Sequence, residues 1–97
     1  MAAERLYIVA HDISKPKRWR RVFKTMKGYG HWVQLSVFQC RLTARRRAEM
    51  AARLDGLIMP AEDHVLIVDL GPADQVDPHV ESLGKGYAAP VRQATIV

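Results

Sequence analysis

With 97 residues, 48% of them hydrophobic, the chain is long enough for one small packed core and too short for two. Charged residues recur every few positions and the only cysteine is Cys40, so the composition excludes a membrane-spanning run, an internal disulfide framework and a disordered tail. The net charge of +5 is unevenly spread: residues 1–53 carry 13 Lys/Arg against three acids, and residues 54–97 carry two against seven. That split predicts one basic face for a polyanion on an otherwise acidic molecule, while a merely solvated basic helix remains the alternative. No apolar signal-peptide core opens the chain, so the expected location is cytoplasmic. Cys40 reads as a half-buried strand residue in a reducing compartment.

Residues 5–12 read as a mostly apolar strand that closes on Asp12. Ser14 is the expected N-cap of a helix with Pro16 in its first turn, and Trp19, Val22, Phe23 and Met26 form its apolar stripe. Gly28 and Gly30 are natural stops. From His31 to Arg41 the pattern alternates, with Val33, Leu35 and Val37 on one face and Gln34, Ser36 and Phe38 on the other. Phe38 is the exception, an aromatic on the nominally polar face, where it would cover the sheet's second side or touch a partner. Thr43 can cap a second helix with the stripe Ala44, Ala48, Ala51, Leu54 and Ile58, ended by Gly56 and Pro60. His64–Leu70 reads as a buried strand, 71–74 as a turn, 76–83 as a further strand and 91–97 as a short terminal strand. If residues 31–41 bend into two paired segments, the order fits one α+β domain over 1–97, a ferredoxin-like βαββαβ sandwich with an extra C-terminal strand. Its uncovered sheet face predicts a homodimer.

The chemistry points to Asp12. A carboxylate there can simply cap the following helix, or it can hold Mg²⁺, which needs few protein oxygens because it keeps its waters; Mn²⁺ accepts similar ligands. One acid per chain is thin for hydrolysis, and two copies of Asp12 across a two-fold axis would give two ligands to one ion. Lys15, Lys17 and Arg18 stand in the first helical turn, against the helix dipole, which is the local conflict expected where phosphates bind. Lys17, Arg18, Arg20, Arg21 and Lys24 are the candidate nucleic-acid contacts. His11, His31, His64 and His79 show no metal-site spacing. His11 points away from Asp12 by strand alternation, yet lies close enough to steer a substrate.

The run Ile8-Val9-Ala10-His11-Asp12-Ile13, followed by Lys17-Arg18-Trp19-Arg20-Arg21-Val22, Lys27-Gly28-Tyr29-Gly30, Val33 to Cys40 and Glu81-Ser82-Leu83-Gly84-Lys85, resembles the CRISPR-associated Cas2 family. These are small spacer-acquisition proteins described as metal-dependent endonucleases. The resemblance covers nearly the whole chain. It implies the ferredoxin-like homodimer, strand exchange through residues 91–97, and facing Asp12 carboxylates that bind Mg²⁺ for phosphodiester hydrolysis of RNA or double-stranded DNA. It also implies a structural role as a DNA-binding bridge between copies of the CRISPR integrase subunit. Arg21 and Phe38 match positions that the family favours near its site. The sequence departs from the pattern at His11, where the family often has Tyr, and at Trp32, where a basic residue is common. A small RNA-binding module outside the family is a third reading, disfavoured because the RNP-type aromatic strand is absent.

Overall fold

The computed structural model describes residues 3–84. Its elements run β1 (Glu4–Asp12), α1 (Pro16–Met26), β2 (His31–Gln34), β3 (Val37–Thr43), α2 (Ala44–Leu57) and β4 (His64–Pro72). They form one antiparallel sheet in the order β2-β3-β1-β4, with β1 paired to β3 on one side and β4 on the other. This is the ferredoxin-like arrangement, with both helices on one face of the sheet.

The expected bend in residues 31–41 is a tight turn at Leu35-Ser36. Leu35 has φ 42°, a left-handed conformation that is costly for a residue with a β-carbon. The turn breaks the alternation expected across it: Leu35 is 75% exposed, and beyond it Phe38, Cys40 and Leu42 all face the core. Phe38 is therefore a fully buried core residue rather than an outward aromatic. Cys40 is likewise fully buried, and burial pushes its thiol up to about 12, which leaves it unreactive at neutral pH.

Four other expectations change. The N-cap of α1 is Lys15 with no side-chain cap, so Ser14 does not cap it; Pro16 does occupy the first turn. In α2, Thr43 caps as expected by accepting from the Arg46 amide and Leu54 is buried as expected, but Met50 is buried with it while Ala44 and Ala48 are exposed. Burying the larger apolar side chains sets the rotation of the helix, and alanines have little area to contest it. Gly56 lies inside α2, which ends at Leu57. Residues 76–83 form no strand: Pro78 removes a ladder donor in the middle of the segment. The terminal strand at 91–97 lies outside the described residues.

The core joins Tyr7 and Val9 of β1, Val22 and Met26 of α1, Phe38, Cys40 and Leu42 of β3, and Met50 and Leu54 of α2. At Gly30 the chain passes against β3 so closely that a β-carbon would collide with the Cys40 Sγ and lie 2.6 Å from the Gln39 carbonyl oxygen. Gly30→Ala is accordingly expected to lower stability by about 1–3 kcal/mol, since rigid backbone must move. Gly56→Ala, where no atom lies within 4 Å of the added carbon, should raise it by about 0.4–1 kcal/mol. Urea midpoints at unchanged m-value measure both; a neutral Gly30→Ala would contradict the close approach.

Candidate functional site at the end of the first strand

Alternation along β1 sends Tyr7, Val9 and His11 toward the helices, and Ile8, Ala10 and Asp12 to the open sheet face. Asp12 is exposed there, directly opposite His64 in the β1–β4 ladder. The same face carries Leu66 opposite Ala10 and Val68 opposite Ile8, 50% and 45% exposed, so the acid stands at the rim of an uncovered apolar surface. Asp12 does not cap α1, and among the described residues its carboxylate has no hydrogen-bond or ion-pair partner.

A second carboxylate holds the neighbouring chain in place. Asp63, with no side-chain exposure, accepts from Arg18 Nε at 2.7 Å, from the Ser14 amide at 3.0 Å, from Ser14 Oγ at 3.2 Å and from the Met59 amide at 2.8 Å. Arg18 Nη2 also donates to Glu62 at 2.7 Å. The Arg18 guanidinium, helped by the two amides, holds the Asp63 carboxyl well below the usual carboxylate range. Arg18 is therefore an internal tie, not a free phosphate contact, and its conflict with the helix dipole is met by two acids rather than by a ligand.

His11 and Phe38, both candidate substrate contacts, lie beneath this surface. His11 is 5% exposed, stacks on Phe38 and tilts against Trp19, each at 6.1 Å between ring centroids. Neither imidazole nitrogen has a hydrogen-bond partner among the described residues. Burial lowers the His11 pKa, so the ring is neutral at pH 7. Trp19 Nε1 donates to Ser36 Oγ at 2.9 Å and the His11 amide to the Ser36 carbonyl at 3.0 Å, tying α1 and β1 to the hairpin turn.

Lys17, Arg20, Arg21 and Lys24 are all exposed on α1. The first three line an open groove of about 660 Å³ between the start of α1 and the end of α2, whose other wall is Leu57, Ile58 and Met59. The basic surface continues onto α2, where Arg46 stacks over Tyr29 with 4.6 Å to the ring centroid and donates to the Gly28 carbonyl. Sequence reasoning missed Asp63 and His64. Neither carries a local motif: Asp63 meets Arg18 across 45 positions, and His64 meets Asp12 only through the strand register.

A sequence profile of the family described as "CRISPR associated protein Cas2" matches residues 5–77. The chain belongs to the Cas2 family. It is 63% identical over 95 residues to the Rhodospirillum rubrum protein named CRISPR-associated endoribonuclease Cas2 1, covering 98% of this chain and 93% of the relative. It is 56% identical over 94 residues to the Geobacter sulfurreducens CRISPR-associated endoribonuclease Cas2, covering 97% and 99%. Among solved structures, Streptococcus pyogenes Cas2 at pH 6.5 superposes with a TM-score of 0.72 at 32% identity, covering 81% of this chain and 99% of that one. The Thermus thermophilus hypothetical protein TT1823 gives 0.75 at 34% identity, covering 91% and 99%. No helix among the described residues is long and apolar enough to cross a membrane.

Within this Cas2 fold, the Asp63 tie sets a pH dependence. Its folded pKa is depressed, so its stabilisation is complete above the ordinary carboxylate value of 3.8 and is lost as pH falls below it. Asp63→Asn should be clearly less stable than the wild type at pH 7, and the gap should narrow progressively below about pH 4. Chemical denaturation across pH measures this; a gap that stays constant to pH 2 would remove Asp63 as the titrating partner.

Proposed function

We propose that the chain is a Mg²⁺-dependent endonuclease of CRISPR spacer acquisition, cutting phosphodiester bonds of RNA, with double-stranded DNA as its other substrate class. The observation that carries the reading is the state of Asp12: an exposed carboxylate at a strand end which, among the described residues, neither caps a helix nor makes an ion pair, at the rim of an exposed apolar sheet face. The names of the Rhodospirillum and Geobacter relatives favour RNA.

The donor set fits a hydrated hard cation. Among the described residues no three His, Cys, Asp or Glu side chains converge, so one chain offers Asp12 and leaves the other positions to water or to a second copy. The open sheet face supports that second copy: Leu66 and Val68 are half exposed, and a homodimer that covers them brings two Asp12 carboxylates to one rim. Mg²⁺, or Mn²⁺, held there would supply Lewis acidity toward the phosphodiester. The chain's own residues do the rest. Asp12 holds the ion, the Arg18–Asp63 tie fixes the segment that follows it, and Lys17, Arg20, Arg21 and Lys24 hold the phosphates of the bound strand. His11 and Phe38 support β1 and the hairpin from within.

A non-cutting DNA-holding bridge for the CRISPR integrase is the second reading, favoured by the run from Ile13 to Ala48, which contains 11 Lys/Arg and no acid. Asp12→Ala separates the two. Under the first reading, Mg²⁺-dependent cleavage of labelled RNA or duplex falls on the order of 10²–10³-fold, as when a group stabilising developing charge is removed, while binding persists. Residual cleavage equal to that of the wild type, with or without chelator, would remove Asp12 from the chemistry. The dimer is tested by Val68→Asp. The residue is 45% exposed, so the protomer stays folded, but sedimentation should show a monomer and cleavage should be lost. A dimeric, active Val68→Asp would place the interface elsewhere.

A further inference from the structure

Trp32 is a large aromatic, 55% exposed, on the edge strand β2. It stands opposite Phe38 in the β2–β3 ladder and so leans toward the helical side of the sheet, not toward the face that carries Asp12. Its ring is fixed before any ligand arrives. The indole Nε1 donates to the Leu35 carbonyl at 2.8 Å across the tight turn, and the ring meets Phe23 edge-on at 6.1 Å. Phe23 is in turn stacked on Trp19 at 4.9 Å and 15°. A pre-ordered exposed aromatic loses little conformational freedom on binding, which favours it as a contact.

The surroundings define the partner. Lys27 Nζ lies 5.7 Å from the Phe23 centroid, and Arg20 stands three residues before Phe23 on the same side of α1. Lys24 is exposed one residue further on. The whole acid-free stretch from Ile13 to Ala48 contains this site. An exposed aromatic beside a helix whose exposed Arg20, Lys24 and Lys27 belong to a stretch without acids matches a base attached to a phosphodiester chain, because a base supplies the flat ring and its phosphates the charge. It matches a protein partner poorly, since an apolar protein patch gains nothing from the basic exposed residues of the neighbouring helix α1.

We propose that Trp32 is a stacking platform for one unpaired nucleobase, whose flanking phosphates are held by Arg20, Lys24 and Lys27. The proposal rests on the nucleic-acid reading above and adds to it a preference for single-stranded character at a site away from Asp12. The unpaired base can belong to a single strand or to the overhang of a duplex, and both sources are included in the test.

The experiment measures binding, with chelator present so that cleavage plays no part, by fluorescence anisotropy on four labelled probes: an oligouridylate, an abasic strand of the same length, a blunt duplex and a duplex with a single-stranded overhang. Trp32→Ala should bind the oligouridylate about 5- to 150-fold more weakly than the wild type and the abasic strand and blunt duplex equally well. A loss on the overhang duplex as well assigns the base to a duplex end in addition to a free strand. Trp32→Phe should recover most of the affinity, and quenching of tryptophan fluorescence by oligouridylate should vanish in Trp32→Ala although Trp19 remains. Equal affinity of wild type and Trp32→Ala for the oligouridylate overturns the platform while leaving the nucleic-acid reading intact. Equal losses on the base-carrying and abasic strands, or a loss of self-association instead, also overturn it. A wild type that binds none of the four probes overturns both readings.

Discussion

The position of the candidate site depends on one buried carboxylate. Asp63 has no exposed side-chain surface, and an ionised group in that setting is tolerable only when its oxygens are fully used. They are: Arg18, the Ser14 amide and hydroxyl and the Met59 amide all donate to it. These donors come from the segment leaving β1, from the first turn of α1 and from the connection into β4. Removing Arg18 leaves the charge unpaired in a dry place, and removing a neutral donor leaves an oxygen under-satisfied, so the three pieces are coupled. Asp12 is two residues before Ser14, and His64 follows Asp63 directly. The tie therefore fixes both strand ends at which the exposed acid and its cross-strand histidine face each other.

The sheet then separates roles by alternation alone. His11 and Asp12 are adjacent in sequence and lie on opposite faces. His11 joins Phe38 and Trp19 in a dry aromatic layer, where neutrality is its cheaper state. Asp12 keeps its water on the other side. A polar residue at position 11 could act on substrate only if the helical layer opened, so the departure from Tyr at this position bears on packing more than on chemistry.

Much of this was legible in the sequence because it rests on local signals. The strand of residues 5–12, Pro16 in the first turn of α1 and Thr43 as a cap follow from periodicity, φ restriction and capping chemistry, whereas the break within 31–41 was required only by the fold order. The misread features depend on distant partners. Arg18 looks like a free phosphate ligand until Asp63, 45 positions later, is seen to take it. Phe38 looks outward because the alternation was carried through a turn in which Leu35 takes a positive φ and resets the phase. The stripe expected for α2 held at Leu54 and Ile58 but not at Ala44 and Ala48, because side-chain area, not the presence of a methyl, chooses the buried face, and Met50 takes their place. Asp12 itself was legible as a residue of interest, but only the structure removed helix capping as its explanation.

The separation of acid from base constrains how a nucleic acid can use this surface. Asp12 lies on the open face of the sheet, whereas Arg20, Arg21 and Lys24 lie on the solvent side of α1, across the opposite face. Among the described residues the two surfaces are joined at the rim formed by the β1–α1 connection, where Lys15 and Lys17 are exposed and the Asp63 tie holds the backbone. A phosphodiester chain that reaches Asp12 while its neighbouring phosphates rest on α1 must therefore bend over that rim. A flexible single strand does so at little cost, while a duplex pays a bending energy on the order of several kcal/mol for a sharp turn. If Asp12 is the cutting site as proposed, this bend disfavours duplex DNA there relative to a single strand without excluding it.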